Sequence, residues 1–321
     1  MQKLRYESLL RRLRKEGFRL CEFSMVSKGE YAAADADWNY KDVPHLPVVH
    51  RLADSQPIIL GEDIACAINL QKILGIWFPI VVNVYEAEKN VAVYYTTLFF
   101  FILVVKTEIE EPKPLLTVVK TTYNIAYPRW LFWVMPLLRW SIKRNYHVLM
   151  SEDLPMRDRR GQLRKLGYGF RKKNQTYGFL ETTRLYDRNV QLPAGAARTH
   201  SANYQEILAA GTTGYVGDTG LLGLRLIRDG DTITVWPRTC PHEGASLDHS
   251  PCRDGIMTCP WHGRRIDPIG TFIWNQDAEF SDGDYSISVK GNTMTWHYSG
   301  GNGNASSTPV KEAAKETIRV A

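Results

Sequence analysis

Four residues late in the chain limit its fold more than any other feature. Cys240-Pro-His242 is followed, sixteen residues on, by Cys259-Pro-Trp-His262, a C-x-H…C-x-x-H pattern. Two short loops, each offering a thiolate and an imidazole, imply one metal centre that ties the loops together. A tetrahedral zinc site would also use two Cys and two His. Zinc sites usually pair C-x-x-C with H-x-x-x-H, however, whereas here each pair mixes one Cys with one His. The mixed pairing therefore argues against zinc.

The surrounding segments, TCPHEGASL and CPWHGRRIDPIG, resemble the two cluster loops of Rieske proteins. The resemblance implies a [2Fe–2S] cluster bound by Cys240, His242, Cys259 and His262. Thiolates suit ferric iron with bridging sulfide, and neutral imidazoles on the other iron raise the potential above that of an all-Cys cluster. Rieske proteins of the cytochrome bc type carry a further loop cysteine pair that forms a disulfide. Ala245 and Trp261 stand at the matching places, so the site is similar to the lower-potential oxygenase and ferredoxin type. Cys252, between the two pairs, reads as a small buried side chain.

The rest of the composition narrows the class. The chain has 321 residues, 44% apolar and 23% charged, which suits about two globular domains. Net charge is +6, but the basic residues cluster in 1–20 and 139–173, and no zinc-finger or RNP-type signature accompanies them. A nucleic-acid partner is not expected. Five cysteines are too few and too odd in number for a secreted disulfide scaffold. The charged N-terminal segment lacks the apolar run of a signal peptide. A cytoplasmic protein with reduced thiols is the expectation.

Residues 1–30 read as a basic amphipathic helix, with Leu4, Leu9, Leu10 and Leu13 near helical spacing, and a lead-in. Residues 31–190 read as one domain. Four β-rich stretches span about 57–127: QPIIL, ILGIWFPIVVNVYEA, NVAVYYTTLFFFILVVKTEI and LLTVVKTTYNIAY. A helical, basic region follows at 128–165, and a strand is expected near Gly178–Leu185. Val91–Val105 and Trp130–Trp140 are both too short to span a bilayer. The second, flanked by Arg129, Arg139, Lys143 and Arg144, fits either an interfacial amphipathic helix at the periphery of a membrane or an apolar helix packed on a sheet. Residues 191–199 read as a linker, 200–298 as an all-β domain and 299–321 as a flexible tail. No fixed-period repeat occurs. The glycine-rich GTTGYVG and GDTGLLG lack the spacing of a dinucleotide fingerprint.

A second constellation lies near the N-terminus, in Asp37-Trp-Asn-Tyr-Lys-Asp42-Val-Pro-His45-Leu-Pro-Val-Val-His50. Two His residues five apart sit about 140° apart on an ideal helix. They converge on one metal only if the helix bends or breaks, and Pro44 and Pro47 supply a reason for it to do so. Two His and one carboxylate with open positions suit a ferrous ion that activates dioxygen.

ADWNYKDVPHLPVVH is similar to the iron-site segment of Rieske non-haem iron oxygenases. The resemblance implies His45 and His50 as ligands of a mononuclear Fe(II), and Asp42 as the residue bridging that site to the cluster ligand His262. The family's third ligand is a carboxylate on a late helix. Glu152-Asp153-Leu-Pro-Met-Arg-Asp158-Arg-Arg-Gly-Gln162 resembles that segment, which makes Asp153 the candidate and Glu152 and Asp158 the alternatives. Asp153 in SEDLP also reads as a helix N-cap or first-turn residue. The His pair also suits the pocket of an iron-free START-like domain.

The implied fold is α+β: a START-like helix-grip domain, its antiparallel sheet wrapped on a helix, followed by an all-β Rieske domain. The usual oxygenase has the opposite order. The implied activity is hydroxylation, dealkylation or desaturation of an apolar substrate with dioxygen, fed by a separate reductase or ferredoxin. Electron transfer would run between subunits of a homo-oligomer or within one chain. The alternative is a Rieske electron carrier or sensor fused to a lipid-binding START-like module without catalytic iron.

Overall fold

The computed structural model describes residues 6–42, 45–51, 53–60, 64–73, 75–88, 90–168, 198–217, 221–282 and 284–299. The strand expected near Gly178–Leu185, most of the 191–199 linker, and the tail from residue 300 lie outside them.

The chain begins with α1 (Tyr6–Lys15), β1 (Arg19–Gly29), α2 (Ala33–Lys41) and the single turn α3 (Leu46–Val49). A meander follows: β2 (Ala53–Leu60), β3 (Ile64–Ile73), β4 (Ile76–Glu88), β5 (Val91–Leu98), β6 (Phe101–Lys113) and β7 (Leu116–Tyr127). Then comes the long α4 (Met135–Lys165). The strands form one antiparallel sheet in the order β1-β7-β6-β5-β4-β3-β2. Residues 19–29, read from sequence as a lead-in, are a full strand of it, with Arg19 opposite Tyr127 and Gly29 opposite Thr117.

Strand β7 shows how the sheet is held on both faces. Thr117, Val119, Thr121 and Ile125 are buried on one face, as the two-residue period requires. Ile125 and Phe23 meet Met135 of α4 there. On the opposite face Ala126, with Val93 and Val104, receives Leu10 and Leu13 of α1. Each leucine so buried contributes about 1.5–3 kcal/mol. This is enough to anchor a helix whose other residues are mostly charged.

Strand β3, but for its last residue Ile73, lies between the first two β-rich stretches and is not among them. The third stretch contains a hairpin that the residue pattern hides, turning at Phe99-Phe100, where Phe99 adopts φ 52°. Turns usually announce themselves through Gly, Asn, Asp or Pro; an apolar turn reads as unbroken strand. The Trp130–Trp140 segment is a 3-10 helix (Arg129–Val134) running into α4. Only Leu131 and Met135 of it are buried, while Trp130, Phe132, Trp133, Leu137 and Trp140 face outward. The packed-helix alternative therefore fails for most of its aromatics.

The second domain comprises β8 (Arg198–Asn203), α5 (Tyr204–Leu208), β9 (Thr213–Val216), β10 (Leu224–Asp229), β11 (Thr232–Pro237), β12 (Cys252–Arg253), β13 (Ile256–Thr258), β14 (Arg265–Ile266), β15 (Gly270–Ile273), β16 (Ala278–Ser281), β17 (Tyr285–Lys290) and β18 (Thr293–Tyr298). They form sheets of order β15-β11-β10-β9, β12-β13-β14 and β16-β17-β18-β8. The end of α4 enters this domain: Leu163 and Tyr168 share a core with Leu224, Leu226, Ile287 and Trp296. A second shared core joins Trp38 and Met156 to Trp236, Met257 and Trp261. Helix α4 therefore belongs to both domains. Gly161 permits its approach to the end of β1, since a Cβ there would lie 2.0 Å from the Glu30 carbonyl oxygen.

Candidate metal centres

The first site depends on a broken helix. Helix α2 stops at Lys41, with the Asp42 amide donating to the Trp38 carbonyl at 2.9 Å. His45 precedes the one-turn α3, which carries Pro47 in its first turn, and His50 leaves it in extended conformation (φ −92°, ψ 133°). That interruption turns both rings inward. His45 Nε2 and His50 Nε2 lie 3.1 Å apart. Asp153 Oδ1, on α4, is 3.4 Å from the first and 3.2 Å from the second. Three donors bound at about 2.1 Å and about 90° to one another would be about 3 Å apart. The three side chains, all buried, thus fit one face of a six-coordinate first-row metal and leave room for other ligands.

Their neighbours fix this arrangement. Glu152 Oε2 is 2.9 Å from His50 Nδ1, which orients the ring and leaves Nε2 free for a metal. His45 Nδ1 contacts the Asp42 carbonyl oxygen. Asn39 Nδ2 donates to Asp153 Oδ1 at 3.1 Å, and Arg157 Nε donates to Asn39 Oδ1 at 2.7 Å. Burial opposes charge on Asp153, but hydrogen bonds from His45 and His50 and the Arg157 guanidinium outweigh it. Its carboxyl is held well below the usual range.

Asp153 lies deep within α4, so the N-cap reading fails. Glu152 sits behind His50, and Asp158 is turned away towards Glu30.

The second site lies on two matched loops. Cys240–Gly244 follows β11, and Cys259–Gly263 joins β13 to β14. Each closes with a glycine amide donating to the cysteine carbonyl four residues back, at 3.0 Å for Gly244 and 2.9 Å for Gly263. Both glycines have positive φ (93° and 64°), a conformation that strains other residues. Cys240, Cys259 and His242 are buried, and the His242 and His262 ring centres are 4.9 Å apart. The buried His242 Nδ1, His242 Nε2 and His262 Nδ1 have no hydrogen-bond partner. Buried polar atoms are seldom left unsatisfied, and metal coordination would satisfy one nitrogen of each ring. Cys252 is half-buried in β12, and Ala245 and Trp261 are buried beside the loops.

Asp42 links the two sites within one chain. Its Oδ2 accepts from His262 Nε2 at 2.7 Å and lies 3.5 Å from His45 Nδ1. Burial alone would lower the His262 pKa, but the Asp42 charge and hydrogen bond reverse this and raise it to about 10.

Sequence reading missed the residues that hold the domains in this register. Asp153, Arg157, Arg160 and Arg164 recur at spacings of four, three and four, and so form one stripe of α4. Arg160 Nε donates to Asp35 Oδ1 at 2.8 Å, and its Nη1 donates to the Glu243 carbonyl at 3.1 Å and to the Glu243 carboxylate. Its guanidinium lies 4.2 Å over the Trp38 ring. Arg164 Nη2 donates to the same Asp35 oxygen at 2.8 Å. Arg159 Nε reaches the Gly244 carbonyl at 2.7 Å. A charge stripe at helical spacing usually signals a solvated face. The register with Asp153 was the available clue that this one is buried.

A cavity of about 200 Å³ opens beside His45, His50 and Asp153, lined also by Tyr40, Val82, Val84, Tyr94, Tyr123 and Tyr146. Four tyrosines thus face the cavity, while most buried aromatics, Trp38, Trp236, Trp296, Tyr204 and Tyr298 among them, fill the cores. Gln71, Tyr123, Tyr146 and Leu149 are shared with an adjoining apolar space of about 100 Å³ that reaches Leu98, Phe101 and Leu138.

No match was found among curated proteins. Several solved structures resemble the first domain in part. The aromatase/cyclase ZhuI from Streptomyces sp. R1128 is 10% identical, covering 44% of this chain and 96% of its own, with a TM-score of 0.41. A START superfamily protein from Mycobacterium smegmatis is 11% identical, covering 42% and 97%, with a TM-score of 0.35. Norcoclaurine synthase from Thalictrum flavum is 10% identical, covering 47% and 96%, with a TM-score of 0.34. The seven-stranded antiparallel sheet wrapped on α4 is itself a helix-grip arrangement. Residues 200–279, which contain both matched loops, match the Rieske [2Fe-2S] domain family.

Proposed function

We propose that the chain is the terminal component of a Rieske-type oxygenase, oxidising an apolar small molecule with dioxygen and electrons from a separate reductase or ferredoxin. One observation carries this reading: the line His262–Asp42–His45, which joins the four-residue cluster site to the His45/His50/Asp153 donor triangle. When bound, a [2Fe–2S] cluster on Cys240, His242, Cys259 and His262 supplies single electrons, and a ferrous ion on His45, His50 and Asp153 supplies dioxygen activation.

The remaining roles belong to the chain's own groups. Asp42 holds the Nε2 proton of His262 and abuts His45, so both sites share one carboxylate. Glu152 and Asn39 keep His50 and Asp153 aimed at the donor centre. The apolar cavity excludes water and holds the substrate against the triangle. In hydroxylation, one C–H bond, dioxygen, two electrons and two protons give C–OH and water. Dealkylation or desaturation would need the same site. The Asp42 contact within a single chain supports transfer without a neighbouring subunit.

The test is iron and acid-labile sulfide per chain, on protein purified anaerobically and reconstituted with ferrous iron. Three irons and two sulfides are expected, falling to two and two in His45→Ala/His50→Ala. Two irons in the unaltered chain would overturn the reading in favour of an electron carrier fused to a ligand-binding domain.

A further inference from the structure

We propose that one end of the first domain, formed by the β5–β6 hairpin tip and residues 129–144, docks on the surface of an anionic lipid bilayer. Its apolar residues are fully shaped by the fold yet left in water: Phe99 is 76% exposed and Trp133 67%, with Phe100, Trp130, Phe132 and Trp140 also exposed. They are contiguous, since the Phe100 and Trp130 rings meet at 5.6 Å across the gap between hairpin and helix. Scattered exposed apolar residues are ordinary, but a continuous aromatic patch marks a contact surface. The turn is itself costly. Phe99 takes a left-handed φ of 52°, where glycine or asparagine would be unstrained, and gains no core burial in return.

The charge around the patch selects the occupant. Arg129, Arg139 and Arg144 are exposed beside the aromatics and Lys143 half-exposed, while no Asp or Glu occurs between Glu111 and Glu152. Tryptophan at headgroup depth with cations among the phosphates is the usual make-up of an interfacial anchor. A second copy of the chain packed face to face would bring these cations against their own kind. No helix among the described residues is long and apolar enough to cross a membrane, so the contact is peripheral. The apolar space leading to the donor triangle ends beside the patch: its lining residues Leu98, Phe101 and Leu138 adjoin Phe99, Phe100 and Leu137 in the chain.

The test is co-sedimentation of the full chain with vesicles of phosphatidylcholine, alone or with equimolar phosphatidylglycerol, at low and high salt. Binding is expected to be at least tenfold tighter with phosphatidylglycerol and to weaken with salt. Trp130→Ser/Trp133→Ser and Arg139→Glu/Lys143→Glu should each weaken it at least tenfold, with unchanged iron and sulfide content as the folding control. Brominated lipid should quench the tryptophan fluorescence of the unaltered chain more than that of the serine variant. Absence of vesicle binding, or equal binding by the variants, would overturn the proposal. So would a dimer, seen by light scattering, that Trp133→Ser dissociates. The assay needs no turnover and no mononuclear iron, so its outcome is independent of whether the chain is an oxygenase.

Discussion

Replacing Arg160 by methionine tests whether the α4 stripe clamps the Rieske domain in place. The side chain is 1% exposed. It bridges Asp35, from the first domain, to the carbonyl and carboxylate of Glu243, beside the cluster loop, and stacks over Trp38. Arg160→Met keeps most of the apolar stem and removes the charge. Asp35 retains Arg164, so the main loss falls on Glu243. Removing one partner of a buried ion pair costs about 3–5 kcal/mol, far more than an exposed pair would. At about 2–4 °C per kcal/mol for a large domain, the melting temperature should fall by about 6–20 °C. Unfolding should be followed both by circular dichroism and by the visible absorption of the cluster. The loss should be coupled to Glu243. In a double-mutant cycle, Glu243→Gln should restore part of the stability lost in Arg160→Met, with a coupling of about 1.5 kcal/mol or more. A fall of less than about 3 °C, or strictly additive effects, would show that the apolar contacts of Trp38, Met156 and Trp261 hold the interface without the arginine.

Other expectations follow from the same contacts. Asp42→Asn should slow dioxygen-dependent reoxidation of the reduced cluster about ten- to a hundredfold with iron and sulfide contents intact; stopped-flow absorbance measures this, and an unchanged rate would remove Asp42 from the link. Glu152→Gln should weaken ferrous iron binding by about ten- to a hundredfold because His50 loses its orienting carboxylate, as a chelator competition would reveal. Asp158 is held above its ordinary pKa, chiefly by burial. A carboxyl whose folded value is raised favours the folded state more as pH falls through that value, and opposes it above. Asp158→Asn should therefore stabilise the protein at pH 7, with the gain shrinking as pH is lowered. A gain independent of pH would assign the effect to packing.

The sequence alone determined what was local. A C-x-H…C-x-x-H pattern is a statement about two loops, and loops of that composition form wherever positive-φ glycines follow the ligands. The β-branched and aromatic runs over 57–127 implied a sheet, since side-chain stiffness and alternation act over a few residues. The prolines around His45 and His50 implied a broken helix, for the same local reason. What the tertiary structure decided depended on distant partners. That Asp153 rather than Asp158 faces the histidines is set by which side of α4 meets α2, more than 100 residues away in the chain. Nothing near Arg157, Arg160 and Arg164 in the chain reveals Asn39, Asp35 or Glu243 as their partners. The turn at Phe99-Phe100 was invisible because its residues carry no turn chemistry. The contact of His262 with Asp42 was expected from the resemblance, but that it forms within one chain was decided by both ends of α4 being packed, because burial and charge pairing are properties of the assembled space and not of spacing along the chain.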